Sequence, residues 1–285
     1  MHSKVIKVLS KLKVFKYLKL NKSINLNNKK FIIPINNDVG QLHLSNPEPW
    51  MLDLLKTLSP LITSTFVDVG VNIGQTLLKF KSIFPNSYYL GFEPNLVCFN
   101  YLENLIKLNK LSSVKVLPLG ISNKTNSGIL YLFNNNDTDP SASIIDGFRQ
   151  KNQIKKQIDI QLSTWSDVKH KFDFKNISVL KIDVEGAELE VLRSFEKDLK
   201  KYSPIIIIEI LPVYNIENEL RIKRQNSVQE LVLNLDYVMF RVVKEKKRLL
   251  KFEQVEVIGI HENINDCDYV MVPKQKLRHF NKLIV

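Results

Sequence analysis

Apolar and polar positions follow two rhythms along this chain, and the rhythm changes near Thr65. Before it, "SKVIKVLSKLKVFKYLKL" winds as a helix with Val5, Val8, Leu9, Leu12 and Phe15 on one side and Lys4, Lys7 and Lys11 on the other. Its "KLKV" portion also alternates as a strand does. "KKFIIPI" predicts a strand, "DVGQLHL" a turn leading into another, and "EPWMLDLLKTL" a helix with Pro49 near its start. From Thr65 on, short apolar runs take turns with amphipathic segments. "TFVDVG", "YYLGFE" and "VKVLPLG" read as buried strands. Between them lie the helices "GQTLLKFKSIF", stopped by Pro85, and "NLVCFNYLENLIKLN". Continuous apolar strands separated by such helices predict parallel βαβ units in a sheet covered on both faces.

The alternation is then interrupted. "GILYLF" and "IDIQLSTW" read as strands flanking the polar loop "NNNDTDPSASI", which predicts an insertion at about 123–165. A substrate-facing segment and a solvated hairpin fit this composition equally. The pattern resumes with strand "ISVLKID", helix "AELEVLRSFEKDLKKY", strand "PIIIIEI", helix "SVQELVLNL" and strand "YVMFRVV", and closes on strand "DYVMVP". There is no internal repeat. The chain therefore divides into an N-terminal arm, 1–45, and one α/β domain, 46–285.

Composition adds location and partners to this outline. With 285 residues and 44% hydrophobic content, the chain can bury one large core. The formal net charge is +12, and Met1–Asn37 holds nine lysines and no acid. A second basic cluster runs from Arg241 to Lys251. Solvated charge explains both; attraction to anionic membrane, nucleic acid or acidic glycan is the alternative. Two cysteines, Cys98 and Cys267, are too few for a disulfide framework and the wrong pattern for zinc, so Cys98 reads as a buried free thiol. No stretch has the length of a membrane span, and the N-terminus lacks the layout of a signal peptide. The expected location is the cytoplasm, with peripheral membrane contact through the basic arm as an option.

Candidate chemistry starts at "FVDVGVNIGQT". Asp68, Gly70, Asn72 and Gly74 form D-x-G-x-N-x-G at the end of a predicted strand, where glycines let a backbone approach a ligand. "LGFEP" brings Glu93 about twenty residues later, the offset at which an acid meets ribose hydroxyls. Together they argue for an adenosine ligand. Asn72 stands where a dinucleotide turn has its middle glycine, and the last glycine falls short of the usual spacing. The pattern suits S-adenosylmethionine (SAM) better than NAD: Asp68 for the ammonium, amides at the helix start for the carboxylate.

"FVDVGVNIGQT", "GFEPN" and "LKIDVEGAELEVL" together resemble the three signatures of the FkbM-type SAM-dependent methyltransferases. The resemblance runs from about Phe66 to Leu211 and, more loosely, includes "NDCDYVMVP". It implies the seven-stranded Rossmann-like sheet of class I methyltransferases, mostly parallel with the last strand antiparallel, and helices on both faces. It implies O-methyl transfer to a sugar hydroxyl of a glycan, polysaccharide or glycosylated metabolite. Carried over by residue, Asp68, Gly70, Asn72, Gly74, Gln75, Glu93, Pro94, Gly120 and Ile121 would line the cofactor. Ser141 and Ser143 resemble a serine-bearing segment of the family's insertion and would face substrate. The chain departs from the family at Trp165-Ser166, where members often have Leu-Asp, which weakens any site claim for Asp167.

A sugar hydroxyl must lose its proton as it attacks a sulfonium methyl, which calls for a base. Asp183, Glu185 and Glu209 fall at the carboxyl ends of adjacent predicted strands, in apolar company where a carboxylate is costly unless paired or used. Asp183 is the leading candidate base; the competing reading makes it a helix cap with Glu185 in the first turn. Glu188 and Glu190 read as structural. The three acids would also suit magnesium or manganese by ligand type, although the expected site is metal-free. His261, and less so His170, are alternative bases, with His261 placed on the substrate side. Trp165 and Tyr214 read as core, with sugar stacking as the alternative. A nucleic-acid methyltransferase, an NAD-dependent oxidoreductase and a membrane-associated binding module are the competing functions; no nucleic-acid partner is expected.

Overall fold

A computed structural model describes residues 20–36, 39–45 and 48–284. The predicted helix at Ser3–Leu20 lies outside the described residues except for its end. Leu20–Leu26 (β1) and Lys29–Ile35 (β2) form an antiparallel hairpin. Its turn residues, Asn27 and Asn28, both have positive φ, the backbone of a type I′ turn. Leu26, Phe31, Ile33 and Ile35 pack on Ile73, Leu78, Tyr101 and Leu105, so this part of the basic segment is fixed to the domain.

"DVGQLHL" does not become a strand. Gln41–Leu44 is a single helical turn (α1) behind Gly40 at φ 93°. The alternation would put both leucines inside, yet Leu42 is exposed and His43 is buried, its Nε2 2.9 Å from the Ile73 carbonyl. Helix Pro49–Thr57 (α2) follows as predicted.

The centre is one mixed sheet built from Thr65–Val69 (β3), Tyr89–Phe92 (β4), Val114–Leu117 (β5), Ile177–Ile182 (β9), Ile205–Glu209 (β10), Tyr237–Glu245 (β11), Arg248–Val255 (β12) and Asp268–Pro273 (β13). The strand order is β12-β11-β13-β10-β9-β3-β4-β5. The five strands from β5 to β10 are parallel, and β13 is inserted antiparallel between β10 and β11. This is the expected sheet with one strand more. The extra strand, β12, returns from β11 through Lys246 and Lys247, both at positive φ, so the basic cluster Arg241–Lys251 is an edge hairpin. Charged residues along such an edge discourage pairing with another chain.

Helices Gln75–Ile83 (α3), Leu96–Leu108 (α4), Glu188–Tyr202 (α6), Glu219–Asn234 (α7) and Lys274–Leu283 (α8) cover the two faces. The run Ile205–Ile208 shows why both faces close. Successive side chains alternate, so Ile206 and Ile208 join the core beneath α6 and α7 while Ile205 and Ile207 join the one beneath α2, α3 and α8. All four are nearly inaccessible, and full burial of each contributes about 1.5–3 kcal/mol. The predicted α7 covered only its second half, because "ELRIKRQN" carries little apolar periodicity. The closing α8 is polar apart from a few positions and inserts Phe280 into the core.

The insertion is a three-stranded sheet of Gly120–Ile121 (β6), Asn126–Leu132 (β7) and Lys156–Ser163 (β8), ordered β6-β8-β7. A short helix, Trp165–Val168 (α5), follows it. Trp165 is 1% exposed among Phe92, Phe172, Phe174 and Phe195, and is core.

Candidate functional site

The chain leaves β3 at the centre of the sheet, between strands whose connections run to opposite sides, the position where open α/β sheets bind ligands. A cavity of about 300 Å³ opens there at the carboxyl edges of β3, β4, β9 and β10, at the lower end of small-molecule sites. Gly70, Asn72, Gln75, Glu93, Pro94, Gly120, Ile121, Asp183, Glu185 and Glu209 all line it. The structure thus brings together most of the sequence-predicted site.

Asp68 and Gly74 lie behind the wall instead. Asp68 is fully buried, hydrogen-bonded by the Tyr89 hydroxyl and 3.2 Å from Lys181 Nζ. Its position mid-strand points the carboxylate into the sheet's packing, so it does not face a ligand's ammonium. Lys181 sits equally near Asp183, at 3.2 Å. Burial acts to lower the Lys181 pKa, but Asp183 and Asp68 raise it above the lysine norm, so it is a cation between two acids. The glycines serve packing more than ligand approach. A Cβ on Gly70 would lie 1.8 Å from the Asp183 carbonyl oxygen, and one on Gly74 2.7 Å from Leu102 Cδ2.

The turn itself is closed by its own contacts. Gly70 and Val71 N–H both donate to the Phe92 carbonyl, and Gly74 N–H donates to Val71. Asn72 N–H donates to Glu93 Oε2 at 2.7 Å, and Ile73 N–H to the Asn72 side chain at 2.8 Å. Every amide from Gly70 to Gly74 is satisfied, which leaves that loop no cradle for a pyrophosphate. Glu93 also accepts from Asn95 N–H at 2.8 Å and faces the cavity. Burial pushes its carboxyl up to about 7 against the pull of those two amides.

At the carboxyl edges of β9 and β10, Asp183, Glu185 and Glu209 bring one oxygen each within 4.8 Å of one another. Neither Asp183 nor Glu185 caps the next helix; α6 starts at Glu188, whose carboxylate accepts from Gly186 N–H at 2.7 Å. Glu190 pairs with Arg224, so both helix acids are structural. Glu185 has a left-handed backbone, φ 51°, and an ion pair with Arg149 at 2.7 Å. Burial pushes the Glu185 carboxyl up to about 7, against Arg149. Burial, then the charge of Asp183, drives Glu209 well above the carboxylate norm. The Cys267 thiol donates to Glu209 at 3.1 Å, and both cysteines are buried and free.

The insertion supplies a wall. Leu130, Pro140, Ala142, Ile144 and Leu162 line the cavity, and the side-chain amides of Asn95 and Asn72 hold the carbonyls of Asp137 and Thr138 at 2.7 and 3.4 Å. Ser141 and Ser143 are not on that wall. Ser141 Oγ donates to Asp139 at 2.6 Å and Ser143 Oγ to the Glu185 carbonyl at 2.6 Å, so both shape the loop. Asp139, with five contacts from Phe133, Asn134 and Ser141, is the loop's organising residue and reaches the cavity itself. His261 also misses the cavity. Its carbonyl accepts from Tyr214 N–H at 3.1 Å, and burial lowers its pKa. His170 is exposed and absent from the lining, and Asp167 is exposed and bonded to Thr125. Tyr214 is 40% exposed, over the Arg221 guanidinium.

Sequence reasoning missed Glu48, Lys181 and Arg149. Lys181 lies inside the quoted "LKIDVEGAE", flanked by the acid it holds. Glu48 precedes the predicted Pro49 helix start, where an acid reads as a capping residue. Arg149 carries no local signal, being thirty-six residues from its partner. Among the described residues, no helix is long and apolar enough to cross a membrane.

The chain is similar in sequence to known proteins. The protein named Methyltransferase sdnD from Sordaria araneosa is 29% identical over 171 residues, covering 50% of this chain and 64% of its own length. Methyltransferase 1 from Beauveria bassiana (strain ARSEF 2860) is 28% identical over 160 residues, covering 52% and 64%. This chain therefore spans 64% of the length of these curated relatives. The crystal structure of Methyltransferase FkbM from Methylobacillus flagellatus KT aligns with a TM-score of 0.46 and 15% identity, covering 83% of this chain and 52% of that one. The sequence pattern of the family described as Methyltransferase FkbM domain matches residues 68–269, from the aspartate of β3 to the tyrosine of β13. By that match, the chain belongs to the FkbM methyltransferase family.

Proposed function

We propose that this protein is a SAM-dependent O-methyltransferase acting on a sugar hydroxyl of a glycan or glycosylated metabolite. The observation that carries the reading is one cavity lined both by Glu93 and by a cluster of three carboxylates. SAM fits the wall. Glu93 offers a carboxylate to ribose hydroxyls, and Pro94, Gly120 and Ile121 offer an apolar surface to an adenine. The satisfied amides of Gly70–Gly74 favour a ligand without a pyrophosphate. When bound, SAM supplies an electrophilic methyl group.

The chain's own residues supply the rest. Lys181 orients Asp183 at the cavity edge and keeps a positive charge beside it. Burial pushes the neighbouring Glu185 carboxyl up to about 7 and Glu209 well above the carboxylate norm, so both hold protons readily. A proton leaving an acceptor hydroxyl then has a receiving group within the site. The insertion wall excludes water from the opposite side. An acidic rim also favours an uncharged acceptor over a phosphodiester, which repels it. The same three oxygens suit a hard divalent cation; activity that persists in chelator supports the metal-free base.

The test compares cells carrying the wild-type gene, an Asp183→Asn version or none, by mass spectrometry of their glycans. A methyl increment on one sugar is expected with wild type alone, while purified Asp183→Asn still binds S-adenosylhomocysteine (SAH). An undiminished increment with Asp183→Asn rules out that base.

A further inference from the structure

Asp68, the residue expected to meet the cofactor's ammonium, is buried with partners of its own. A different pair lies beside the cavity, with Glu48 on its wall and Lys79 buried just behind Glu48, outside the lining. Glu48 sits just ahead of α2 with a left-handed backbone, φ 55° and ψ 57°, and lines the cavity. Its carboxylate is half exposed and stands 3.6 Å from Lys79 Nζ, beyond hydrogen-bond reach. Lys79 belongs to α3 and is 2% exposed, and its ammonium nitrogen has no hydrogen-bond partner.

That placement is expensive. A buried charge held by a single long ion pair is destabilising. Gln75 and Thr76, on the same side of α3 as Lys79 by the i, i+3 and i+4 spacing, line the cavity. α3 has no side-chain cap, so its first amides remain available to an anion. A half-exposed acid and an unsatisfied buried cation, held slightly too far apart, form a slot for a zwitterion.

We infer that Glu48 and Lys79 bind the amino-acid end of the cofactor: Glu48 takes its ammonium, and Lys79 with the start of α3 takes its carboxylate. This rests on the SAM reading above. Inserting a zwitterion replaces one long ion pair by two close ones and leaves the net charge of the site unchanged. It also explains a lysine whose burial, the largest influence on it, lowers its pKa in the free protein.

The experiment measures binding of SAH and of 5′-methylthioadenosine, which shares the nucleoside but lacks the amino-acid moiety. Calorimetry on the full chain compares wild type, Lys79→Met and Glu48→Gln. Lys79→Met should weaken SAH at least tenfold and leave methylthioadenosine within twofold. It should also hold or raise the melting temperature of the free protein, because it removes an unsatisfied buried charge. Glu48→Gln, at a half-exposed position that does not threaten folding, should weaken SAH selectively in the same way. Equal loss of both ligands, or unchanged SAH binding in both variants, overturns the assignment. A wild-type protein that binds methylthioadenosine and SAH equally also overturns it while leaving the adenosine site intact. A wild-type protein that binds neither overturns the SAM reading itself.

Discussion

The glycine turn and the carboxylate edge line one cavity side by side, at the ends of the neighbouring strands β3 and β9, and are held by different means. The turn is nearly self-contained. Its amides are satisfied by Phe92, Glu93 and its own residues, within about one βαβ unit. The carboxylate edge draws on distant chain: Arg149 from the insertion holds Glu185, Cys267 just ahead of β13 holds Glu209, and Lys181 ties Asp183 to β3. The insertion touches both regions: its Asp137 and Thr138 carbonyls accept from Asn95 and Asn72, and its Arg149 pairs with Glu185.

Variants at the two regions should separate binding from turnover. The largest effect is expected for Asp183→Asn, a loss of turnover of roughly 10²–10⁴-fold with SAH affinity kept within a few fold, measured by initial rates and calorimetry. A parallel fall in SAH affinity would merge the two regions. Gly70→Ala comes next. It forces a side chain against the Asp183 carbonyl at a positive φ and should destabilise by about 3 kcal/mol or more, read from denaturant unfolding.

Arg149→Met should lower turnover roughly thirtyfold, about 2 kcal/mol, the low end of the range for removing one partner of a buried charge pair. Without Arg149 the Glu185 carboxyl rises further from about 7, so the acidic limb of the pH–rate profile moves to higher pH. An unmoved limb separates Arg149 from the chemistry. Glu93→Gln probes the turn side through stability. The folded carboxyl titrates near 7 against 4.5 for the free group, so the folded state holds the extra proton between those values. Stability contributed by this group is present at low pH and lost as pH rises through 7. Wild type should lose melting temperature between pH 5 and 8, and Glu93→Gln should lose less. Ser141→Ala should be the mildest, about 1 kcal/mol in stability with unchanged SAH affinity, since its hydroxyl only braces the loop.

The same contrast governs what was legible in the sequence. The strands around the turn were readable because each is a continuous apolar run bounded by glycine or proline. β12 and α8 were not, since β12 is a charged edge strand and α8, though amphipathic, is mostly polar and buries only Phe280. β1 was not assigned, because beyond Leu20 the segment "NKSINL" has only two apolar residues, and it becomes a strand by pairing with β2 across the Asn27-Asn28 turn. At the site, Glu93 and the three carboxylates reach the cavity because strand ends converge there. Asp68 was misplaced because position on a strand does not reveal which way the pleat points. Ser141, Ser143 and His261 were misplaced because loop chemistry gives no orientation. Glu48 and Arg149 depend on contacts that exist only after folding.

The most direct test of the central claim is a calorimetric titration of the full chain with SAH and, separately, with NAD. The cofactor reading predicts saturable one-site binding of SAH, weakened by Glu93→Gln, and no heat from NAD. Binding of NAD at the same site, or no binding of SAH, would contradict it.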